Sequence, residues 1–92
     1  MKKKIAILGS TGSIGKTLIE IIKKDKKNYS TILLTANKNY KKLYKQALIL
    51  NAKNLIITDK KSFNILSKKT KNLDINVFNN FNKFEKIFKK KI

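Results

Sequence analysis

The chain lacks cysteine, histidine, proline, tryptophan and arginine, and it has only three glycines and five acidic residues among its 92 positions. Without cysteine it can form no disulfide, no thiolate metal site and no cysteine nucleophile, so the redox compartment stays open and the cytoplasm is the default expectation. No apolar run reaches the roughly 18 to 20 residues that span a bilayer, so we expect no membrane partner. The opening lysines lead into a short apolar run that ends at a glycine, which indicates a strand and a turn rather than a signal peptide.

Positive charge is what the chain has in excess. All 23 basic residues are lysines, and the formal net charge is +18. A dense basic surface releases counterions when it covers phosphates, so a basic nucleic-acid-binding module is one interpretation. Base recognition favours arginine, however, and an excess of Lys together with Asn and Ile is what an AT-rich coding sequence produces. We therefore expect weak, salt-sensitive attraction to polyanions but no specific nucleic-acid partner.

Strand and helix signals alternate along the whole chain. Four short apolar runs, typical of buried parallel strands, are each followed by apolar residues at helical spacing. The runs lie at residues 5–8, 31–35, 55–58 and 75–78. This alternation predicts an α/β fold with a Rossmann-like parallel sheet of about four βα units and the strand order 3-2-1-4.

Polar residues mark two of the predicted helix starts. Thr58 or Asp59 is predicted to cap a short helix after the third strand, and Asn79 or Asn80 is predicted to cap the last helix. The last helix is rich in Phe and Lys, which would also suit a membrane surface. We interpret its apolar residues as core-facing.

A glycine-rich turn, GSTGSIG at residues 9–15, lies between the first predicted strand and the first predicted helix. A dinucleotide-binding fold places its phosphate loop there. Gly9 would permit the tight exit from the strand, Gly12 would admit the pyrophosphate, and Gly15 would let the helix pack closely on the sheet. Backbone N–H groups at the helix start would face anionic oxygen. These groups belong to Thr11, Gly12, Ser13 and Ile14.

The segment after the second strand carries a cation where many cofactor sites carry an acid. NAD-specific folds place an Asp or Glu about 20 residues beyond the glycines, where it accepts hydrogen bonds from the ribose 2′-hydroxyl. Here the chain has Asn37, Lys38 and Asn39, without a carboxylate. A lysine attracts a 2′-phosphate, and charged hydrogen bonds contribute about 1.5 to 3 kcal/mol. These residues therefore predict NADP(H) rather than NAD(H).

Two segments resemble one known family. Residues 3–15 resemble the opening of 1-deoxy-D-xylulose 5-phosphate reductoisomerases, and residues 36–39 resemble the AGKN or AGRN segment of that family. The resemblance implies that Thr11, Gly12, Ser13 and Ile14 line the phosphates of NADPH, and that Asn37, Lys38 and Asn39 surround its adenosine ribose phosphate. The family usually has Gly at the position of Asn37. If that position requires positive φ, we expect Asn37 to cost about 1 kcal/mol.

The resemblance also implies an activity. Members of the family rearrange 1-deoxy-D-xylulose 5-phosphate, a sugar phosphate, and reduce it with NADPH to 2-C-methyl-D-erythritol 4-phosphate in non-mevalonate isoprenoid biosynthesis. They hold Mg²⁺ or Mn²⁺ with carboxylates, and a homodimer is possible. The five acidic residues of this chain are scattered, so we predict no catalytic or metal-binding residue in it. We expect residues 1–92 to be a truncated NADPH-binding domain, without the catalytic and carboxy-terminal domains and inactive alone.

A P-loop nucleotide-binding protein is an alternative. Gly15, Lys16 and Thr17 end like a Walker A motif, and residues 55–59 resemble a Walker B strand. A Walker A motif that ends at Thr17 requires glycine at position 10, where the chain has Ser10. A decayed or truncated gene product with no independent role is a further alternative.

Overall fold

The structure is a computed structural model that describes residues 2–89. Four parallel strands form one sheet, and helices connect and cover them. The strands are β1 (Lys3–Ile7), β2 (Tyr29–Ala36), β3 (Asn54–Ile57) and β4 (Asn76–Phe78). The helices are α1 (Ser13–Lys23), α2 (Tyr40–Leu50), α3 (Lys60–Lys69) and α4 (Phe84–Lys89), and a short 3-10 turn, Lys26–Asn28, precedes β2. The predicted α/β class with a parallel sheet is confirmed.

The predicted strand order 3-2-1-4 is wrong in one respect. The order in the sheet is β1-β2-β3-β4, so β4 pairs with β3 instead of β1. The reason lies in α3, because its Leu66 is fully buried in the same apolar cluster as Leu43 of α2. The connection through α3 therefore runs over the face that α2 covers. A right-handed crossover on that face continues outward past β3 and cannot return to β1.

The main core lies on the face of the sheet that α1, α2 and α3 share. Alternate residues of the strands point to this face and meet the apolar stripes of the three helices. Leu34 of β2 and Leu55 of β3 are fully buried here, where they pack with Ile19 of α1 and Ala47 of α2. Burial of such side chains contributes about 1.5 to 3 kcal/mol each, so this face supplies most of the packing that holds the connections in place.

The opposite face of the sheet is covered by α4, which packs against β2. Leu33 and Ile56 alternate with the core residues along their strands and are fully buried on this second face. Phe84 and Ile87 of the last helix are half-buried, whereas Phe81 just before it is exposed, so the core-facing prediction holds for only part of its apolar residues. No helix among residues 2–89 is long and apolar enough to cross a membrane.

Side chains cap two helices close to the carboxyl ends of the strands. Asn39 Oδ1 accepts a hydrogen bond from the Lys42 amide at 3.2 Å at the start of α2. Asp59 Oδ2 accepts one from the Ser62 amide at 3.0 Å at the start of α3. Of the two candidates predicted for α3, Asp59 is therefore the cap.

The cap predicted for the last helix is wrong. The helix begins at Phe84, several residues beyond Asn79 and Asn80. Asn79 Nδ2 instead donates to the carbonyl oxygens of Ile57 and Thr58, at 3.0 and 3.2 Å. The Asn79 side chain therefore bonds to the end of β3 and does not cap a helix, which is the role that the local sequence predicted.

Candidate cofactor-binding site

The phosphate loop, residues 8–12, leaves β1 through a sharp turn. Gly9 has a φ of +70°, a conformation that favours glycine and that agrees with the tight exit predicted there. Its N–H donates to Thr35 Oγ1 at 2.9 Å, and the Ser10 N–H donates to the Thr35 carbonyl oxygen at 2.8 Å. Thr35, near the carboxyl end of β2, therefore fixes the conformation of the loop.

Gly15 allows α1 to approach this loop closely. A Cβ atom on Gly15 would lie 2.5 Å from the Gly9 carbonyl oxygen and 2.6 Å from Cα and the carbonyl oxygen of Ser10. Backbone atoms cannot swing away as the end of a flexible side chain can. The close packing predicted for Gly15 exists, but it is against the loop backbone and not against the sheet.

A buried polar pair connects the loop to α2. Ser10 Oγ–H donates to Gln46 Oε1 at 2.7 Å, and Gln46 Nε2 donates to the Ser10 carbonyl oxygen at 2.9 Å. Neither Gln46 nor Thr35 is among the residues that the sequence predicts for the site. The available signal was a polar residue between Leu43 and Leu50 on the apolar stripe of α2, since buried amides need partners.

The start of α1 presents backbone N–H groups. Gly12 is its N-cap residue and provides no side-chain cap, so part of the first turn is left for water or an anion. One of the four predicted amides is already engaged, because the Gly12 N–H donates to the Gly9 carbonyl oxygen at 3.1 Å. Thr11 is half-buried, whereas Ser13 and Ile14 are exposed. The geometry leaves the amides of these three residues as the better candidates for phosphate contact.

Asn37 follows β2 and bonds to the segment after β3. Its Nδ2 donates to Thr58 Oγ1 at 2.6 Å, and its carbonyl oxygen accepts from the Asp59 amide at 2.9 Å. Among the described residues, Asn51 is the only non-glycine residue with positive φ. The conditional cost expected for Asn37 therefore does not apply, because its backbone is not in the conformation that would require glycine.

The turn at Lys38 and Asn39 is anchored through its backbone. The Lys38 carbonyl oxygen accepts from Ser62 Oγ at 3.0 Å and from the Tyr40 amide at 2.8 Å, and Asn39 caps α2. The side chains of Asn37, Lys38 and Asn39 are exposed. The start of α3 thus positions the turn while the Lys38 ammonium stays accessible to solvent.

The electrostatics around this turn favour anions. Hydrogen bonds from the side chain and backbone of Ser62 lower the pKa of Asp59, and the charges of Lys38 and Lys61 lower it further. On the neighbouring helix, a side-chain contact with Lys16 and the charge of Lys16 lower the pKa of Lys42. Ammonium groups therefore outnumber the one carboxylate in this region.

The structure brings the two predicted site segments together. The phosphate loop and residues 37–39 follow adjacent parallel strands, so both lie at the carboxyl edge of the sheet, where open α/β sheets bind their ligands. Thr35, Gln46, Thr58 and Ser62 support them from beneath. Amide and ammonium donors converge there, which suits a phosphorylated dinucleotide.

A cavity of about 650 Å³ lies elsewhere, at the amino ends of β3 and β4. Asn54, Asn76 and Phe78 line it together with Lys86 and Ile87 of α4. This is the edge of the sheet opposite to the phosphate loop. No predicted site residue lines the cavity, so its size does not make it the cofactor site.

Acidic residues build no metal centre in the described part of the chain. Between residues 2 and 89, no group of three or more His, Cys, Asp or Glu side chains is placed to hold a metal ion. Asp59, the Walker B-like acid of the P-loop alternative, is occupied as the cap of α3. Carboxylate chemistry therefore cannot be assigned to these residues.

The family model and the curated relatives that match this chain indicate the same family. Residues 5–91 match the family model described as 1-deoxy-D-xylulose 5-phosphate reductoisomerase. The curated reductoisomerase of Pelagibacter ubique strain HTCC1062 is 59% identical over 86 residues, which are 94% of this chain and 22% of the relative. The chain thus spans about a fifth of the length of the curated relatives that it matches.

Solved structures agree with the sequence comparison. A reductoisomerase from Zymomonas mobilis in complex with NADPH is similar with a TM-score of 0.81 and 32% identity, over 85% of this chain and 21% of that one. A reductoisomerase in complex with NADPH, fosmidomycin and magnesium has a TM-score of 0.82 and 26% identity, over 92% of this chain and 21% of that one.

Proposed function

Since the chain belongs to the 1-deoxy-D-xylulose 5-phosphate reductoisomerase family, we propose that it forms the NADPH-binding part of such an enzyme. One observation carries the proposal. The start of α1, which no side chain caps, and the turn that presents Lys38 follow adjacent parallel strands at the carboxyl edge of the sheet. This arrangement supports binding of a pyrophosphate at the start of α1 and of a ribose phosphate at the turn.

Each predicted residue has a role in this proposal. The backbone of Thr11, Gly12, Ser13 and Ile14 holds the phosphates, with the Gly12 amide also bonded within the loop. Asn37, Lys38 and Asn39 surround the ribose phosphate, and Lys38 supplies the charge that distinguishes it from a hydroxyl. Gly9 and Gly15 let the loop and the helix come close enough to form this surface.

The chemistry is proposed for a full-length protein, because the chain spans about a fifth of its relatives. The substrate is the sugar phosphate of the family, which is rearranged and then reduced to 2-C-methyl-D-erythritol 4-phosphate. NADPH supplies the hydride when it is bound. The residues described here bind and orient it, while the carboxylates for Mg²⁺ or Mn²⁺ belong to other parts of the enzyme. A homodimer in the cytoplasm completes the proposal.

A binding titration tests the cofactor assignment. The purified chain is titrated with NADPH, NADH and ATP at moderate salt, so that nonspecific attraction to the lysines is screened. We expect NADPH to bind most tightly and Lys38→Ala to reduce its affinity about tenfold or more. Lys71→Ala, which removes an equal charge beyond the end of α3, serves as the control and leaves the affinity unchanged. A preference for ATP would favour the P-loop alternative, and no nucleotide binding would contradict the proposal.

A further inference from the structure

Two lysines from different helices meet beside the phosphate loop. Lys16 follows Gly15 in the first turn of α1, and Lys42 lies in the first turn of α2. Gln46 lies one turn beyond Lys42 on the same face of α2, and its hydrogen bonds to Ser10 turn that face toward the loop. The two helices pack against each other, and the side chain of Lys16 lies close enough to lower the pKa of Lys42.

This arrangement is unfavourable unless an anion accompanies it, because like charges in contact repel each other. Lys16 lowers the pKa of Lys42, first through a side-chain hydrogen bond and then through its positive charge. Four of the five acidic residues make their contacts elsewhere. These contacts are Glu20 with Lys23, Asp25 with Asn28, Asp59 with Ser62, and Asp74 with Lys53. The fifth, Glu85, belongs to α4 on the opposite face of the sheet.

The lysine pair lies between the two parts of the proposed cofactor site. The Lys16 amide donates to the carbonyl oxygen of Gly12 in the phosphate loop at 2.9 Å, and the Lys42 amide donates to Asn39 Oδ1 in the turn at residues 37–39. The charge of Lys38 lowers the pKa of Asp59, so the turn at residues 37–39 has a carboxylate near its ammonium group. Lys16 and Lys42 add two further positive charges beside this turn.

We propose that Lys16 and Lys42 together bind the 2′-phosphate of NADPH and are specificity-determining residues beyond the 37–39 turn. The inference rests on the proposed function. A dianionic phosphate between the two ammonium groups removes their repulsion and accepts hydrogen bonds from both. NADH has a hydroxyl at this position, so it leaves the repulsion in place.

A double variant, Lys16→Gln with Lys42→Gln, tests whether these lysines contact the 2′-phosphate or another part of the cofactor. NADPH and NADH are titrated at one ionic strength against the wild-type chain and the variant. We expect the affinity for NADPH to fall about tenfold or more and the affinity for NADH to change less than about twofold. The control, Lys23→Gln with Lys68→Gln, removes the same charge far from the site. The arginine pair, Lys16→Arg with Lys42→Arg, keeps the charge, and we expect it to retain the preference for NADPH. Circular dichroism verifies that each variant is folded.

Each other outcome has a distinct meaning. Equal losses for NADPH and NADH would place the lysines on the pyrophosphate that both cofactors share, which overturns the inference. If the wild-type chain prefers NADPH and the glutamine pair preserves that preference, the inference fails and the proposed function stands. If the wild-type chain binds neither dinucleotide, the proposed function fails and the inference with it.

Discussion

Ser10 and Gln46 bond to each other twice in the interior of the protein, through 2.7 Å and 2.9 Å hydrogen bonds between the phosphate loop and α2. Both side chains are buried. The pair lies beneath the surface that is proposed to bind phosphate, so the loop cannot move independently of the helix. Its conformation is set before a ligand arrives, which lowers the cost of ordering on binding.

Loss of the Gln46 side chain should therefore weaken the whole fold. In Gln46→Ala the Ser10 hydroxyl and carbonyl group remain buried without these partners, which costs about 1 to 3 kcal/mol. Urea unfolding followed by circular dichroism measures the change in the free energy of unfolding. The neighbouring exposed Lys45→Ala should change it by less than about 0.5 kcal/mol. Equal stability of the two variants would show that the Ser10–Gln46 pair contributes nothing.

Gly15→Ala tests the close approach of α1 to the loop. The added methyl group would lie 2.5 Å from the Gly9 carbonyl oxygen, so helix and loop must separate at a cost of about 1 to 3 kcal/mol. At Gly12 the nearest atom to an added Cβ is 3.5 Å away, and Gly12→Ala should cost less. Thermal unfolding of both variants supplies the comparison. An unchanged melting temperature for Gly15→Ala would contradict the packing described here.

Asp59 should make stability depend on pH in the acid range. Its pKa is lowered from 3.8, first by hydrogen bonds from Ser62 and then by nearby lysines. The charged carboxylate therefore stabilises the fold above the unfolded value of 3.8, and this contribution is lost as the pH falls through the lower folded pKa. Asp59→Ala should be less stable than the wild type at pH 7, and the difference should shrink below pH 3.8.

Urea midpoints at neutral and acid pH measure this difference. Asp74→Ala is the control, because its partner Lys53 and Asp74 itself are exposed and such pairs contribute little. A gap between wild type and Asp59→Ala that stays constant with pH would contradict the role of the carboxylate as a helix cap.

Asn37→Gly introduces the residue that the family usually has at this position. Glycine brings no relief of backbone strain because Asn37 is not in the positive-φ region, and the variant loses the bond from Nδ2 to Thr58 Oγ1. We expect a loss of about 0.5 to 1.5 kcal/mol in urea unfolding. Thr58→Val removes the other partner and should give a similar loss, with little further effect in the double variant. A gain in stability for Asn37→Gly would show that the backbone does prefer glycine.

The purified 92-residue chain should not convert 1-deoxy-D-xylulose 5-phosphate. Its described residues provide no carboxylate cluster for a metal ion. The measurement is NADPH oxidation at 340 nm with Mg²⁺ or Mn²⁺ present. Turnover that disappears on addition of a chelator would overturn this prediction.

Local sequence predicted the strands and helices and the two segments of the proposed site. Hydrophobic periodicity reports which residues of one segment share a face, so it identified the four strands and the helices between them. The glycine-rich loop and residues 37–39 follow adjacent predicted strands, and parallel pairing alone brings such segments to one edge. The family resemblance rested on these same residues.

Only the tertiary structure decided which segments meet. The place of β4 beside β3 depended on Leu66 joining the core on the face that α2 covers. The bonds of Gln46 to Ser10 and of Asn37 to Thr58 join residues 36 and 21 positions apart, and periodicity within one segment carries no information about such partners. The influence of Lys16 on Lys42 depends in the same way on how α1 and α2 pack together. The sequence by itself determined the α/β architecture and predicted where the cofactor site lies, whereas packing between distant segments determined the strand order and the neighbours of each predicted site residue.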